Sequence, residues 1–220
     1  MLHRTIATLC VATCQLAHAE DLAGILRTGG VAIYFRHAAT DHSQIDRKGV
    51  AADDCAGQRN LSEKGRAQAR AIGESLHAIG AELEEPVLSS PYCRTMETAR
   101  LIAGRATPSR DVLGGVDAQG KVDYSKLRAL LATPPAAGKV RVIVSHGNQL
   151  QDLAGPPELA EGEAAVIRGD GGGWKILMRV PAAEWPRPGV TRSAPPPDAG
   201  SAPMPRESTS GPPRASAARP

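Results

Sequence analysis

Residues 31–37 read Val-Ala-Ile-Tyr-Phe-Arg-His, a short apolar run that ends in an arginine and a histidine. Two glycines precede the run, and a short apolar segment bounded in this way predicts a buried β-strand. A second run, from Lys139 to Ser145, is rich in β-branched residues, predicts another strand and is followed at once by His146. Each of these two strands is therefore predicted to end beside a histidine.

The segments around these strands predict an alternation of strands and helices. In chain order the further predicted elements are a helix from its cap Ser62 to about Ile79, a strand over 86–89, a helix opened by Ser90-Pro91 and reaching about Ala103, a short helix over 123–132, a helix after His146, and strands over 163–168 and 173–180. Segments 38–60 and 104–122 are predicted to be irregular. This order predicts an α/β fold of three layers, with a mainly parallel sheet and helices on both faces.

In such a sheet, ligands bind just beyond the carboxyl ends of the strands. Three strands end there, and the residues that follow them include His37, Arg94 and His146, with Arg36 ending the first strand. Arg94 is predicted in the first helical turn, so its side chain leans back over the edge, and the free N–H groups of that turn favour an anion. Two histidines and two arginines are thus predicted to converge.

These residue types together favour phosphoryl chemistry. The planar guanidinium groups of Arg36 and Arg94 match phosphate oxygens, and their charge keeps a neighbouring histidine neutral and nucleophilic. His37 is therefore predicted to attack phosphorus and form a phosphohistidine, while Arg36, Arg94 and His146 bind the other oxygens. This chemistry requires no metal and no organic cofactor.

Four blocks of the sequence, in this order, resemble the histidine phosphatase, or phosphoglycerate mutase-like, superfamily. They are residues 34–38, 59–69, 89–99 and 145–147. The resemblance is closest to small exported bacterial members. It implies a phosphoglycerate mutase-like fold, His37 as the nucleophile, and a phosphate pocket completed by Arg36, Arg94 and His146.

The sequence departs from the family pattern at Ala38, where glycine is usual; alanine is expected to be tolerated if the backbone there needs no positive φ. Arg59, in the second block, either binds the phosphate or pairs with Asp53 or Asp54. The leaving group also needs a proton donor, and no motif identifies it. Glu161 and Glu163 are favoured over Asp117, Asp41 and Asp46, and a carboxyl group in this role needs a raised pKa. Each of these carboxylates is alternatively a solvated surface group.

The two ends of the chain are predicted to lie outside the catalytic domain, which spans residues 20–185. Residues 1–19 have an early arginine, an apolar run and an Ala-His-Ala ending, which predict a cleaved signal peptide and a periplasmic or secreted protein. The alternatives are an amphipathic first helix of a cytosolic protein and, less favoured, a lipoprotein attached through Cys14. Residues 186–220 are rich in Pro, Ala, Ser and Arg and predict a disordered tail, either a solvated extension or a contact for anionic envelope polymers.

Cleavage after Ala19 would leave only Cys55 and Cys93, and two cysteines in an exported protein are expected to pair. Two separate thiols are the alternative. A bridge here would hold the 38–60 segment beside Arg94.

The favoured function is a phosphomonoester hydrolase with a small phosphorylated substrate. The alternatives are a protein that binds phosphorylated ligands without turnover, and a phosphotransferase or mutase. A nucleic-acid partner is excluded, because aromatic residues make up only 3% of the chain and the net charge of +3 comes from its ends. The chain is also expected to lack a stable membrane span and to be a monomer or weak dimer.

Overall fold

The structure, a computed structural model, describes residues 22–116 and 119–186. Its strands are β1 Val31–Arg36, β2 Leu88–Ser89, β3 Thr107–Pro108, β4 Gly115–Val116, β5 Val122–Asp123, β6 Val140–Ser145, β7 Ala164–Gly169 and β8 Trp174–Val180. Its helices are α1 over residues 22–28, α2 Glu63–Ile79, α3 Cys93–Ala103, α4 Ser125–Ala132 and α5 Gly147–Ala154. Three 3₁₀ turns complete the set: Cys55–Gly57, Arg110–Val112 and Ala182–Glu184.

The main sheet has six strands in the order β3-β2-β6-β1-β7-β8. The first four strands of that order are mutually parallel, and β7 and β8 form an antiparallel hairpin on the β1 side. The predicted mainly parallel sheet is therefore confirmed. β1 is buried along almost its whole length because β6 and β7 cover both of its edges, which explains its uninterrupted apolar sequence.

Helices cover both faces of this sheet, as predicted. Val31, Ile33 and Phe35 point to one face, where α1, α2 and α3 pack, and Ala32 and Tyr34 point to the other face, against α4 and α5. The alternation along β1 thus divides the apolar residues into two cores of a three-layer α/β fold.

Helix α2 follows its predicted limits. Ser62 is the N-cap, and its hydroxyl accepts the N–H of Gly65. A Cβ at Gly65 would overlap the backbone of Ala39, so this glycine lets α2 lie directly against the segment that follows β1. The close approach brings the start of α2 to the carboxyl edge of the sheet.

Two predictions of local structure are wrong. Ser90 does not cap α3, which begins at Cys93 after the N-cap Tyr92, so Pro91 lies outside the helix. The amide of Cys93 donates instead to Oε1 of Gln58, and the Ser90 hydroxyl lies beside His146. The expected free N–H group at the start of this helix is therefore already occupied by a side chain.

Helix α1 is not among the predicted elements. No described helix combines the length and the apolar character that a membrane crossing needs. The predicted signal peptide and all but one residue of the predicted tail lie outside the described residues and stay predictions.

Candidate active site

The strand register brings the predicted site residues to one edge. Arg36 is opposite Ser145 in the β1–β6 pair, and Ser89 is opposite Val144 in the β2–β6 pair. The three strands therefore end at nearly the same level. The residues that follow them, His37, Ser90 and His146, meet beyond the sheet as the parallel order predicts.

His37 is buried, with 3% of its surface exposed, and its hydrogen bond fixes its tautomer. Nδ1 lies 3.0 Å from the carbonyl oxygen of Ala38. A carbonyl only accepts, so Nδ1 carries the proton and Nε2 keeps its lone pair. Burial lowers the pKa of His37 to about 4, helped by the charges of Arg94 and Arg36 and opposed by the bond to Ala38. The imidazole is therefore neutral and nucleophilic at Nε2 near neutral pH.

His146 is held beside it. The two histidine rings meet edge to face with centroids 5.5 Å apart, and the ring of Tyr92 meets His146 in the same way at 5.3 Å. Nε2 of His146 lies 3.1 Å from the Ser90 hydroxyl, and Tyr34 donates its hydroxyl to the His146 carbonyl at 2.7 Å. Burial, and then the charge of Arg94, lowers the pKa of His146 to about 2. The second histidine is thus also neutral and fixed in orientation.

Arg94 and Arg36 are each anchored by one terminal nitrogen. Nη1 of Arg94 donates to Oδ1 of Asp46 at 3.0 Å, and its guanidinium lies over the Tyr92 ring at 5.1 Å. Nη1 of Arg36 donates to the carbonyl of Leu159 at 2.6 Å and lies 3.1 Å from Oε1 of Glu158. These contacts leave other guanidinium donors of both residues for a ligand.

Arg59 joins the same cluster. Its Nη2 lies 3.8 Å from Oε1 of Glu161, and no ion pair with Asp53 or Asp54 is present; Asp54 pairs with Arg47 instead. The pairing proposed from sequence as the alternative for Arg59 is therefore not formed.

The three site arginines share one feature. The Nε atoms of Arg36, Arg59 and Arg94 are buried and have no hydrogen-bond partner among the described residues. Buried donors without an acceptor are rare and costly, so several of them in one place indicate that an external acceptor belongs there. An anion with several oxygens is the group that meets this need.

Glu161 is the carboxylate of the site. Its oxygens accept the backbone N–H of Thr40 at 3.1 Å and the Thr40 hydroxyl at 2.7 Å. Partial burial raises the pKa of Glu161, but the two bonds from Thr40 and the nearby positive charges outweigh it, and the pKa lies below its ordinary value. Glu161 is therefore ionised in the free protein, contrary to the raised pKa expected of an acid.

The other candidate acids have different surroundings. Glu163 pairs with Arg179 at 3.0 Å and accepts the N–H of Ala160, which gives it a structural role in the turn before β7. Asp41 accepts from Ser43 at the surface, and Asp46 is committed to Arg94. Asp117 lies outside the described residues. These contacts do not support a catalytic role for Glu163, which stays a prediction.

The irregular segment 38–60 covers the cluster and is tied to it by a disulfide. Cys55 and Cys93 are bridged, with Cα atoms 5.5 Å apart, so the predicted pairing is present in the structure. Within this segment, His42 lies at the exposed mouth, its Nε2 3.6 Å from Oε2 of Glu161. Ala38 is buried and has no positive φ, so its replacement of glycine is tolerated as expected.

Sequence reasoning missed four partners of the catalytic cluster. They are Glu158 beside Arg36, Thr40 on Glu161, Gln58 at the start of α3, and Ser90 on His146. Only Ser90 lay in a recognised block, and no local pattern identified its partner. The other three depend on loop conformations that bring distant residues together.

A comparison with protein families decides the relationship. Residues 33–112 match the family model "Histidine phosphatase superfamily (branch 1)". This chain belongs to the histidine phosphatase superfamily. The matched segment contains His37, Arg36, Arg59 and Arg94, and the predicted family is confirmed. Membership of the histidine phosphatase superfamily supports phosphatase activity.

Solved histidine phosphatase structures are similar to this chain at low identity. A putative phosphohistidine phosphatase SixA from Agrobacterium tumefaciens is 18% identical, with 69% of this chain and 98% of that chain covered and a TM-score of 0.46. SixA complexed with tungstate is 20% identical, with 70% and 97% covered and a TM-score of 0.48. Phosphoserine phosphatase from Entamoeba histolytica is 15% identical, with 68% and 95% covered and a TM-score of 0.44. No curated protein sequence matches this chain.

Proposed function

We propose that the protein hydrolyses phosphate monoesters through a phosphohistidine on His37. The observation that carries this proposal is the set of three arginines whose buried Nε atoms lack acceptors, gathered around two neutral histidines. A tetrahedral dianion supplies enough oxygens to satisfy these donors, and a neutral imidazole can approach its phosphorus.

In the first step the Nε2 lone pair of His37 forms a bond to phosphorus while the ester P–O bond breaks. The bond from Nδ1 to the Ala38 carbonyl stabilises the positive charge that the ring acquires. Arg36, Arg59, Arg94 and His146 bind the phosphoryl oxygens, where negative charge is concentrated. Water then attacks the phosphohistidine, the N–P bond breaks, and inorganic phosphate leaves neutral His37 behind.

Glu161 is the proposed proton carrier. It is ionised in the free protein, but a phosphate dianion bound beside it would raise its pKa, because a nearby like charge disfavours the ionised form. A substrate can thus load the proton that its own leaving group needs. After departure of the alcohol, the Glu161 carboxylate is available as the base for the attacking water.

One observation favours the alternative of phosphate binding without turnover. The two hydrogen bonds from Thr40 hold Glu161 as an acceptor, so the free protein has no protonated carboxyl group ready for an alkoxide. Binding and hydrolysis differ in a direct measurement. Isothermal titration with inorganic phosphate reports the pocket, and release of phosphate from esters reports turnover.

The experiment is an assay of phosphate release from a panel of phosphomonoesters, with 4-nitrophenyl phosphate as the reference substrate. We expect turnover by the wild type and by His77→Ala, an exposed histidine in the last turn of α2. His37→Ala is expected to lose turnover at least a thousandfold while its fold, followed by circular dichroism, is kept. Phosphate binding without release from any ester would support the binding alternative instead.

We also propose export to the periplasm or the medium. The Cys55–Cys93 bridge supports this location, because disulfides persist in oxidising compartments. Fractionation of the expressing cells and sequencing of the mature N-terminus is the test. We expect an extracytoplasmic protein that begins at Glu20, and an uncleaved cytosolic protein would contradict the proposal.

A further inference from the structure

Ser90 has a contact that the proposed reaction does not yet use. Its side chain is fully buried at the end of β2, and its Oγ lies 3.1 Å from Nε2 of His146. The only other hydrogen bond of this hydroxyl among the described residues is accepted from the backbone N–H of Tyr92, at 3.4 Å. A buried hydroxyl placed on one nitrogen of a site histidine can decide which ring nitrogen carries the proton.

The direction of the bond follows from counting donors and acceptors. Oγ already accepts from Tyr92, so the hydroxyl proton of Ser90 needs an acceptor of its own. Nε2 of His146 is the only one within reach among the described residues, and it can accept only when it carries no proton. The opposite arrangement would leave a buried hydroxyl proton without a partner, which is unfavourable.

We propose that Ser90 is a positioning residue, which donates to Nε2 of His146 and thereby fixes the ring proton on Nδ1, making this histidine a hydrogen-bond donor to the phosphoryl group. This inference rests on the proposed function for its role in catalysis. Nδ1 of His146 has no hydrogen-bond partner among the described residues, so it is free to donate to a phosphate oxygen. In the other tautomer a lone pair would face the anion and repel it.

The rest of the surroundings keeps the ring in place without selecting a tautomer. The rings of His37 and Tyr92 contact His146 edge to face, and Tyr34 binds the main-chain carbonyl of His146 rather than the ring. Burial keeps the pKa of His146 far below its ordinary value, so the neutral ring has a tautomer to select. Removal of the Ser90 hydroxyl is therefore expected to change the protonation pattern and leave the ring where it is.

The test is two-bond ¹H–¹⁵N correlation on histidine-labelled protein, with the His146 signals assigned by comparison with His146→Gln. We expect the Nδ1–H tautomer in the wild type, and movement of its signals on addition of inorganic phosphate. Ser90→Ala is expected to give a mixture of tautomers, and Ser90→Thr, which keeps the hydroxyl, to restore the wild-type pattern. Ser89→Ala is the matched control, because Ser89 is equally buried and its hydroxyl donates to the Ser90 carbonyl instead.

Kinetics complete the experiment. We expect kcat/KM to fall between 10-fold and 100-fold in Ser90→Ala, as for partial loss of one oxyanion donor, and to stay near the wild-type value in Ser89→Ala. A wild-type His146 with its proton on Nε2, or an unchanged Nδ1–H tautomer in Ser90→Ala, would overturn the proposal. The spectra need no turnover. An inactive protein with the expected tautomer and phosphate response would contradict the proposed hydrolysis and still support the role of Ser90.

Discussion

Nη1 of Arg94 lies 3.0 Å from Oδ1 of Asp46, and the same oxygen accepts the backbone N–H of Arg59 at 2.9 Å. One carboxylate of the irregular segment 38–60 therefore positions two arginines of the site. The pocket is thus assembled by a loop as well as by the strand edge. Its precision depends on how firmly that loop is held.

Replacement of Asp46 separates charge from geometry. Asp46→Ala removes the acceptor of Arg94, and we expect kcat/KM to fall about tenfold, since hydrogen bonds to charged groups contribute about 1.5–3 kcal/mol. Asp46→Asn keeps an acceptor and removes a negative charge near the bound anion, so phosphate is expected to bind at least as tightly as in the wild type. Steady-state kinetics and phosphate titration give both values.

Asp54→Ala is the control for this pair. Asp54 belongs to the same segment and pairs with the exposed Arg47, away from the site arginines. Its replacement is expected to leave kcat/KM near the wild-type value. Equal losses in the two alanine variants would show that the segment as a whole, rather than the Asp46 contact, was disturbed.

The disulfide is expected to stabilise the protein and the pocket together. Cys55 and Cys93 are 38 residues apart, and a closed loop of that size corresponds to roughly 4 kcal/mol of chain entropy. Cys55→Ser combined with Cys93→Ser is therefore expected to lower the free energy of unfolding by a few kcal/mol and to raise KM. Urea unfolding with and without reductant measures the first effect. A reductant that alters the double variant as much as the wild type would contradict this assignment.

Burial of neutral histidine makes the stability depend on pH. The pKa of His37 falls from 6.5 to about 4 on folding, so the unfolded chain binds more protons between these values. The stabilisation is complete above pH 6.5 and is lost as the pH falls to about 4, at a cost of about 3 kcal/mol. We expect the free energy of unfolding to fall over this range in urea titrations.

His37→Gln isolates this contribution. The variant has no titratable group at the position, so its free energy of unfolding should fall less steeply between pH 6.5 and 4. His146 titrates in the same direction and remains in the variant, so part of the slope is expected to persist. Identical slopes in wild type and variant would mean that His37 is not a buried neutral histidine.

Leaving groups distinguish the two glutamates. Glu161→Gln is expected to slow hydrolysis of alkyl phosphates at least a hundredfold, because an alkoxide needs a proton. Hydrolysis of 4-nitrophenyl phosphate should change little, because its phenolate leaves unprotonated. Glu163→Gln breaks the pair with Arg179 and is expected to lower stability without changing the ratio of the two rates. If Glu161→Gln affected both substrates alike, Glu161 would not be the proton donor.

Periodicity and strand order predicted much of this architecture. β1, β6 and α2 lie where the sequence places them, because a buried strand and an amphipathic helix are determined by neighbouring residues. His37 and His146 were predicted to meet because parallel strands end at one edge. The same reasoning placed Arg94 there.

Contacts made through loops were not predictable in this way. The ion pair of Asp46 with Arg94 depends on the conformation of an irregular segment, and the cap of α3 comes from Gln58 rather than from Ser90. The low pKa of Glu161 arises from two donors on Thr40, which is 121 residues away in sequence. A carboxylate's proton affinity depends on such partners, and residue type alone does not reveal them.

The central claim, a covalent phosphoryl group on His37, is tested most directly by trapping the phosphoenzyme. The wild type is mixed with ³²P-labelled phosphomonoester, quenched in alkali and digested, and the labelled peptide is identified by mass spectrometry. We expect an acid-labile, alkali-stable label on His37, present in His77→Ala and absent from His37→Ala. A label on any other residue, or sustained turnover by His37→Ala, would contradict the account.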